Sequence, residues 1–497
     1  MADSNSSAPA KKKKVFGLAG MVLFAVTAIL VGDTIGTSAA MGVQGITFWI
    51  VLAILFFIPY GFATAELGAA WPDDGGIYVW VREAFGPMWG TVTAWLYWVN
   101  VALWAPSVFV LFSETMQTAF NIHVNMWAEM GIVIALIWIM VLIGIIPLKF
   151  SKWVPNSSAI VKIVIFLLLG IAGVAMLFTS HGSANSFALK NFIPQLVTRV
   201  HGKLNFDNLT YLPVVIYSFM GFELMSSVGD SVKNPKKDIP KMILLSGVTI
   251  LFVYVFATFG VLATTPVGKI NITTGIIDAF LPAFKAVFGV AARPIFIVVA
   301  LGVLFTFIGN MVTWSIGSNE SLAATGMDET APGIFGHRNA KFDTPDYAFI
   351  LMGVIATVTT VLTYTLLNQA SGAFWVIFVL SSVVFLLPYL LMFPALIKLR
   401  YKFPDHPRPY KVPGGNFGLW LWTILCEAGI IFTLALFFIA PDPTIPSGVY
   451  YGVVTVASIA SIAVGFILYF RSKGKIDQRY LEDQKKEQAS PLPPEQQ

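Results

Sequence analysis

Leu30-Val31-Gly32-Asp33-Thr34-Ile35-Gly36-Thr37-Ser38 interrupts, near its middle, an apolar run long enough to cross a bilayer. Two glycines, three hydroxyls and an aspartate at that depth are costly in hydrocarbon. Backbone that leaves the helix there frees N–H and C=O groups, which is tolerable only where they line a cavity or meet a partner. The stretch therefore reads as a deliberately broken helix. Its alternative reading is a glycine-kinked helix packed through small residues.

The surrounding chain fits the first reading. Of 497 residues, 57% are hydrophobic and 11% charged, with a mean hydropathy of +0.77, whereas soluble domains carry roughly 25% charged residues. Apolar stretches of about 20 residues are centred near Phe24, Leu55, Trp98, Leu136, Leu168, Phe219, Phe252, Leu304, Ile355, Val383, Ile430 and Ile459. This predicts an all-α membrane protein with about twelve spans. Little chain is left for a soluble domain.

The bias of Lys and Arg between short loops sets the orientation. With both termini cytoplasmic, 24 basic residues fall inside and 6 outside, and Lys162 lies within a span. The tails 1–14 and 472–497 are polar and read as disordered and cytoplasmic. The lone Cys426 excludes an internal disulfide.

An ionisable residue inside a span is a functional candidate by default. Glu66, Glu114, Glu320 and Glu427 lie near span ends, where a side chain can reach the interface. Asp33, Lys162 and Glu223 are central. Glu223 sits in Tyr217-Ser218-Phe219-Met220-Gly221-Phe222-Glu223, again a glycine and an acid within an apolar run. Two interrupted spans five apart point to an inverted five-helix repeat, with freed amides at half-helix ends attracting carboxylates and freed carbonyls attracting cations.

Three segments resemble the amino acid, polyamine and organocation transporters, and the resemblance covers nearly the whole chain. They are Gly32-x-x-x-Gly36-Thr37-Ser38, AELGAAWPDDGGIYVWVREAFGP (65–87) and GFELMSSVGDSVKNPKKDIP (221–240). The first alone is weak and the other two are specific in combination. The resemblance implies a disordered N-tail (1–14), two inverted repeats (15–180 and 207–396), two accessory helices (417–471) and a C-tail (472–497). It also implies that Ile35, Gly36, Thr37 and Ser38 in the first span contact substrate, together with Tyr217, Ser218, Phe219 and Gly221 in the sixth. Tyr217 takes an aromatic gate position, and Trp314 in VTWSIGSNES is similar to a tryptophan that confines substrate side chains. Glu223 matches an acid linked to protonation. Lys162 in IVKIVIF is similar to a lysine that occupies the place of a sodium ion and bridges the first and fifth helices. The loop PDDGGIYVWV reads as a support for a gate, with Arg82 and Glu83 able to pair.

Asp33 departs from the pattern, since an asparagine is common beside that glycine in antiporters for arginine or polyamines. Three readings are open: it recognises a cationic substrate, it is a permanent partner of Lys162, or it carries a coupling proton. With Glu223 nearby, a net anionic substrate is disfavoured.

The resemblance thus implies a secondary transporter in the plasma membrane, exchanging zwitterionic or cationic amino acids and amines. The alternative is proton-coupled uptake. A channel would show a filter or a ring of pore charges, and none is read. A sensor would need a signalling domain. An intramembrane enzyme would need a partnered nucleophile or metal ligands at helical spacing, and the five histidines all fall in predicted loops or tails. The expected partners are a small amino acid or amine, protons and the lipid bilayer. Neither a cofactor, a metal nor a nucleic acid is expected, and the oligomeric state is not read from the sequence.

Overall fold

A computed structural model describes residues 14–178, 182–200, 203–205, 207–271, 275–367, 370–439 and 447–489. Among the described residues eleven helices are long and apolar enough to cross a membrane, and twelve spans result when the bent first pair is counted as one. Span 1 is a bent pair, Leu18–Ile29 and Asp33–Ala40. Spans 2 to 6 are Gln44–Ala70, Pro87–Phe120, Met126–Ile145, Leu148–Leu177 and Asn208–Ser231. Spans 7 to 12 are Pro235–Thr264, Gly289–Met327, Asp346–Thr365, Val376–Lys402, Gly415–Phe438 and Tyr450–Ile476. A short amphipathic helix, Ile77–Phe85, follows span 2. The described strands are a small hairpin pairing Thr198–Val200 with Lys203–Asn205.

Both expected interruptions are present. Span 1 bends by 51° where Leu30 turns extended, with φ −76° and ψ 103°. Span 6 is helical to Tyr217, leaves the helix, and resumes at Phe222 as a tighter 3-10 coil. The turn hinges on Gly221 at φ 130° and ψ 2°, a region that side chains with a Cβ avoid. A methyl there would also lie 3.0 Å from Ile29 and 3.1 Å from Trp314, so the second break is packed against the first.

Burial separates centre from rim. Span 6 is wholly buried and span 3 is 94% buried over its most apolar window, against 33% for span 11 and 17% for span 12. Spans 5 and 7 meet backbone to backbone, since a methyl on Gly173 would come 2.7 Å from the Gly260 Cα. Small residues allow such contact between helices that gain nothing from leaving water. Where a polar tail from 472 was expected, the last helix continues through Ala489. The N-tail up to residue 13 lies outside the described residues.

The loops that carry most of the basic residues gather on one face, termed here the basic face. Val15 and Phe16 donate backbone N–H groups to the Ser231 carbonyl, and Lys233 returns one to Phe16. The two broken spans are thus stitched together at that end.

Candidate functional site

At the first break, the carbonyls that end Leu18–Ile29 have no intrahelical donors, and side chains from three other spans supply them. Lys162 of span 5 donates to the Thr27 carbonyl at 2.7 Å, and Asn310 of span 8 donates to the same oxygen at 2.7 Å. Asn310 also reaches the Ala28 carbonyl at 3.1 Å, where the Trp314 indole N–H donates at 2.9 Å. Tyr254 of span 7 donates to the Ile29 carbonyl at 2.5 Å and accepts from the Val31 N–H at 3.1 Å. The Tyr254 hydroxyl also lies 3.3 Å from the Ser218 carbonyl, so it touches both breaks.

At the second break the polarity is reversed. The freed N–H groups of Gly221 and Phe222 both donate to the Tyr60 hydroxyl at 2.9 Å, and Tyr60 donates in turn to the Glu223 carboxyl. The other carboxyl oxygen of Glu223 accepts from Tyr97 and from Tyr389, each at 2.7 Å. Glu223 is fully buried, and no lysine or arginine among the described residues pairs with it. An ionised carboxylate is acceptor-only, and three phenol donors from spans 2, 3 and 10 satisfy it without a counter-charge.

Aromatic rings close the space between the breaks. Trp314 lies edge-on to Trp104 at 5.9 Å and to Phe385 at 5.3 Å. Tyr217 meets the same two rings at 6.1 and 5.3 Å. Away from the basic face, a narrow crevice of about 10 Å³ lies beside the first break, lined among others by Gly32, Trp104, Lys162, Thr306 and Asn310. Within it the Trp104 indole N–H and the Asn310 carbonyl oxygen are buried with no partner among the described residues. Native proteins keep such groups rare, and here they offer one donor and one acceptor to a bound polar molecule.

The sequence-predicted residues divide. Lys162, Tyr217, Gly221, Glu223 and Trp314 converge on the breaks, and Lys162 bridges spans 1 and 5. Ser218 bonds back to the Val214 carbonyl at 2.5 Å while its own carbonyl faces Tyr254. Ser38 turns away: its hydroxyl lies 3.0 Å from both Thr258 and the Trp49 indole N–H. Phe219 likewise packs on Phe57 at 4.4 Å and Trp49 at 5.1 Å in span 2, and on Tyr254 of span 7 at 6.2 Å. Ile35 and Thr37 are buried within Asp33–Ala40, which also holds Gly36. The side chain of Asp33 lies outside the described residues.

The basic face is closed by charge. Arg82 pairs with Glu83 at 2.9 Å and with Asp328, and the Tyr78 hydroxyl reaches Asp328 and Thr330 at 2.9 and 3.0 Å. Burial and then the Asp328 carboxylate push the Tyr78 phenol up. Burial works against the Arg82 charge, yet Tyr78 and Asp328 outweigh it and hold the guanidinium above its usual range. The 72–76 loop supports this closure, with Gly75 donating to the Ser227 carbonyl at 3.1 Å and Ser321 to the Gly75 carbonyl at 3.0 Å. Glu66 and Glu320, near span ends, are both held in ion pairs. Glu66 is buried against Arg400 and the Val412 N–H, and Glu320 takes two bonds from Arg338 at 2.8 and 3.0 Å.

Reasoning from charge missed Tyr60, Tyr97, Tyr254, Tyr389 and Asn310. Their only signal is a hydrogen-bonding group in mid-span.

A family model described as amino acid permease matches residues 14–459. A protein of Lactococcus lactis subsp. lactis named "Probable agmatine/putrescine antiporter" is 33% identical over 85% of this chain and 87% of its own. A rice protein named as a polyamine transporter is 24% identical over 88% of this chain and 74% of its own. A glutamate/gamma-aminobutyrate antiporter of Lactococcus lactis is 22% identical over 92% and 90%. The crystal structure of a manganese transporter mutant from Eremococcus coleocola shares the fold, with a TM-score of 0.60 at 14% identity, covering 93% of this chain and 94% of that one. With two facing helix breaks and a family match over nearly its whole length, the chain belongs to the amino acid permease family, within the amino acid, polyamine and organocation transporters.

Proposed function

We propose that this transporter exchanges an amino acid or amine on one side of the plasma membrane for a related one on the other, favouring zwitterionic or cationic substrates. The observation that carries this is the pair of breaks: carbonyls of span 1 held by fixed donors, opposite a buried acid of span 6 held only by hydroxyls. A cationic head finds the Asn310 side-chain oxygen and ring faces here, and Glu223 disfavours a net negative guest. The antiporter and polyamine-transporter names of the relatives support the same class. Asp33 adds a further acid from sequence.

In this reading spans 1–5 and 6–10 are inverted repeats, spans 11 and 12 are accessory, and the basic face with both termini is cytoplasmic, in line with its excess of Lys and Arg. Transport is alternating access: the basic-face ion pairs part as the crevice side closes. Glu223 takes part by protonation. A protonated carboxyl needs one donor fewer, so one tyrosine is released and the clasp among spans 2, 3, 6 and 10 loosens. A second reading, proton-coupled uptake, is favoured by Lys162, whose ammonium is a fixed cation on the Thr27 carbonyl at the first break.

Proteoliposomes separate the two. Uptake of labelled putrescine that requires an amine or amino acid inside is expected. Uptake into empty vesicles driven by a proton gradient would replace exchange with the second reading.

A further inference from the structure

A larger cavity lies away from the breaks, in the outer wall. It is a groove between span 2 and the first half of span 7, with a volume of about 450 Å³, lined almost wholly by apolar side chains. Its walls turn outward: Leu244 and Val248 are 67% and 64% exposed, as expected of helix faces that meet lipid. Two glycines keep it open, because a methyl on Gly247 would stand 3.4 Å from Phe222 and one on Gly61 3.6 Å from the same ring.

Two features distinguish this groove from an ordinary lipid-facing seam. Its basic-face end carries Lys241 and Tyr410. Lys241 is exposed and pairs with no carboxylate among the described residues. Lys233, Lys236, Lys237 and Lys411 lie near these two in sequence, against Asp238, and Glu66 is already engaged by Arg400 and Arg408. The net local charge is positive. Its floor is Phe222, which sits between Gly221 and Glu223 and packs on Phe57 at 4.9 Å and Tyr60 at 5.4 Å. Whatever fills the groove rests on the back of the second break.

We propose that the groove binds an anionic glycerophospholipid, with an acyl chain against Phe222 and the phosphate on the Lys241 ammonium and the Tyr410 hydroxyl. Seated there, the lipid braces the Phe57–Phe222–Tyr60 stack and thereby sets how readily the Glu223 clasp opens. Charge complementarity at one end and an apolar trough at the other match the two parts of such a molecule, and the bilayer supplies it.

The test uses the full-length chain purified in detergent, with native mass spectrometry after mixing with phosphatidylglycerol or phosphatidylcholine. The wild type is expected to retain phosphatidylglycerol several-fold better than phosphatidylcholine. Lys241→Gln removes that preference, Gly247→Leu lowers retention of both, and Lys473→Gln, on the last span, behaves as wild type. In vesicles, adding phosphatidylglycerol to phosphatidylcholine changes the exchange rate of the wild type and of Lys473→Gln but not of Lys241→Gln, whose rate in pure phosphatidylcholine is kept. Equal retention of the two lipids by the wild type, or an unaltered preference in Lys241→Gln, overturns the proposal. The binding readout does not depend on which substrate is carried, so it stands or falls separately from amine exchange.

Discussion

The two breaks solve the same problem with opposite chemistry. Span 1 exposes carbonyls, and a lysine, an asparagine, an indole and a phenol donate to them from spans 5, 7 and 8. Span 6 exposes amides, and one phenol from span 2 accepts from both and donates its own O–H to an acid. The first arrangement depends on a fixed positive charge and on donors that keep one role. The second depends on hydroxyls, which can rotate and reverse role, around a group that can gain a proton. In the proposed mechanism the first break is thus an anchor to spans 5, 7 and 8, and the second a switch shared among spans 2, 3, 6 and 10.

The contrast predicts an order of effects. Lys162→Ala should be the most damaging, because a charge-assisted bond is worth about 1.5–3 kcal/mol, or roughly 10- to 100-fold in exchange rate. Retention of near wild-type exchange in Lys162→Ala would remove the anchor from the account. Tyr60→Phe comes next. It orphans two amides and takes one donor from Glu223, and a loss of about 2 kcal/mol, seen as slowed exchange and a lowered melting temperature, is expected. Tyr97→Phe and Tyr389→Phe each remove one donor while the other stays, so each should cost about 1 kcal/mol, or roughly 5-fold in rate. If all three phenylalanine variants slowed exchange equally, the distinctive role of Tyr60 would be lost. The smallest effect is expected at Arg82→Ala on the basic face. Arg82 and Asp328 are 27% and 34% exposed, and such pairs contribute about 1 kcal/mol or less. Opening toward that face, followed by labelling of a cysteine placed nearby, should become somewhat faster without loss of substrate preference.

Much of this was legible in the sequence, and the exceptions have physical causes. Interrupted spans announce themselves because glycine, hydroxyl and carboxyl groups are expensive in hydrocarbon, so both breaks, Lys162 and Glu223 stand out. Tyrosines do not, since a phenol in an apolar span carries little penalty and looks like any aromatic core residue. Their importance arises where the fold brings Tyr60, Tyr97 and Tyr389 to one carboxyl from three spans. Ser38 illustrates the reverse error. Position beside a break suggested a ligand contact, yet its place on the helix turns it toward Trp49 and Thr258. Ser38→Ala should therefore lower the melting temperature by the equivalent of about 1 kcal/mol and leave substrate preference unchanged. The end-of-span acids Glu66 and Glu320 have structural partners that no local pattern names. Arg400 lies 334 residues from Glu66 in sequence.

The central claim is that Glu223 and its hydroxyl clasp form the switch. It is tested most directly by measuring putrescine exchange across a range of pH in proteoliposomes for the wild type and Glu223→Gln. The amide cannot gain a proton in that range, so the account predicts a pH-dependent rate in the wild type and a flat, slower one in the variant. A variant that kept the wild-type pH profile would place the switch elsewhere and contradict the account.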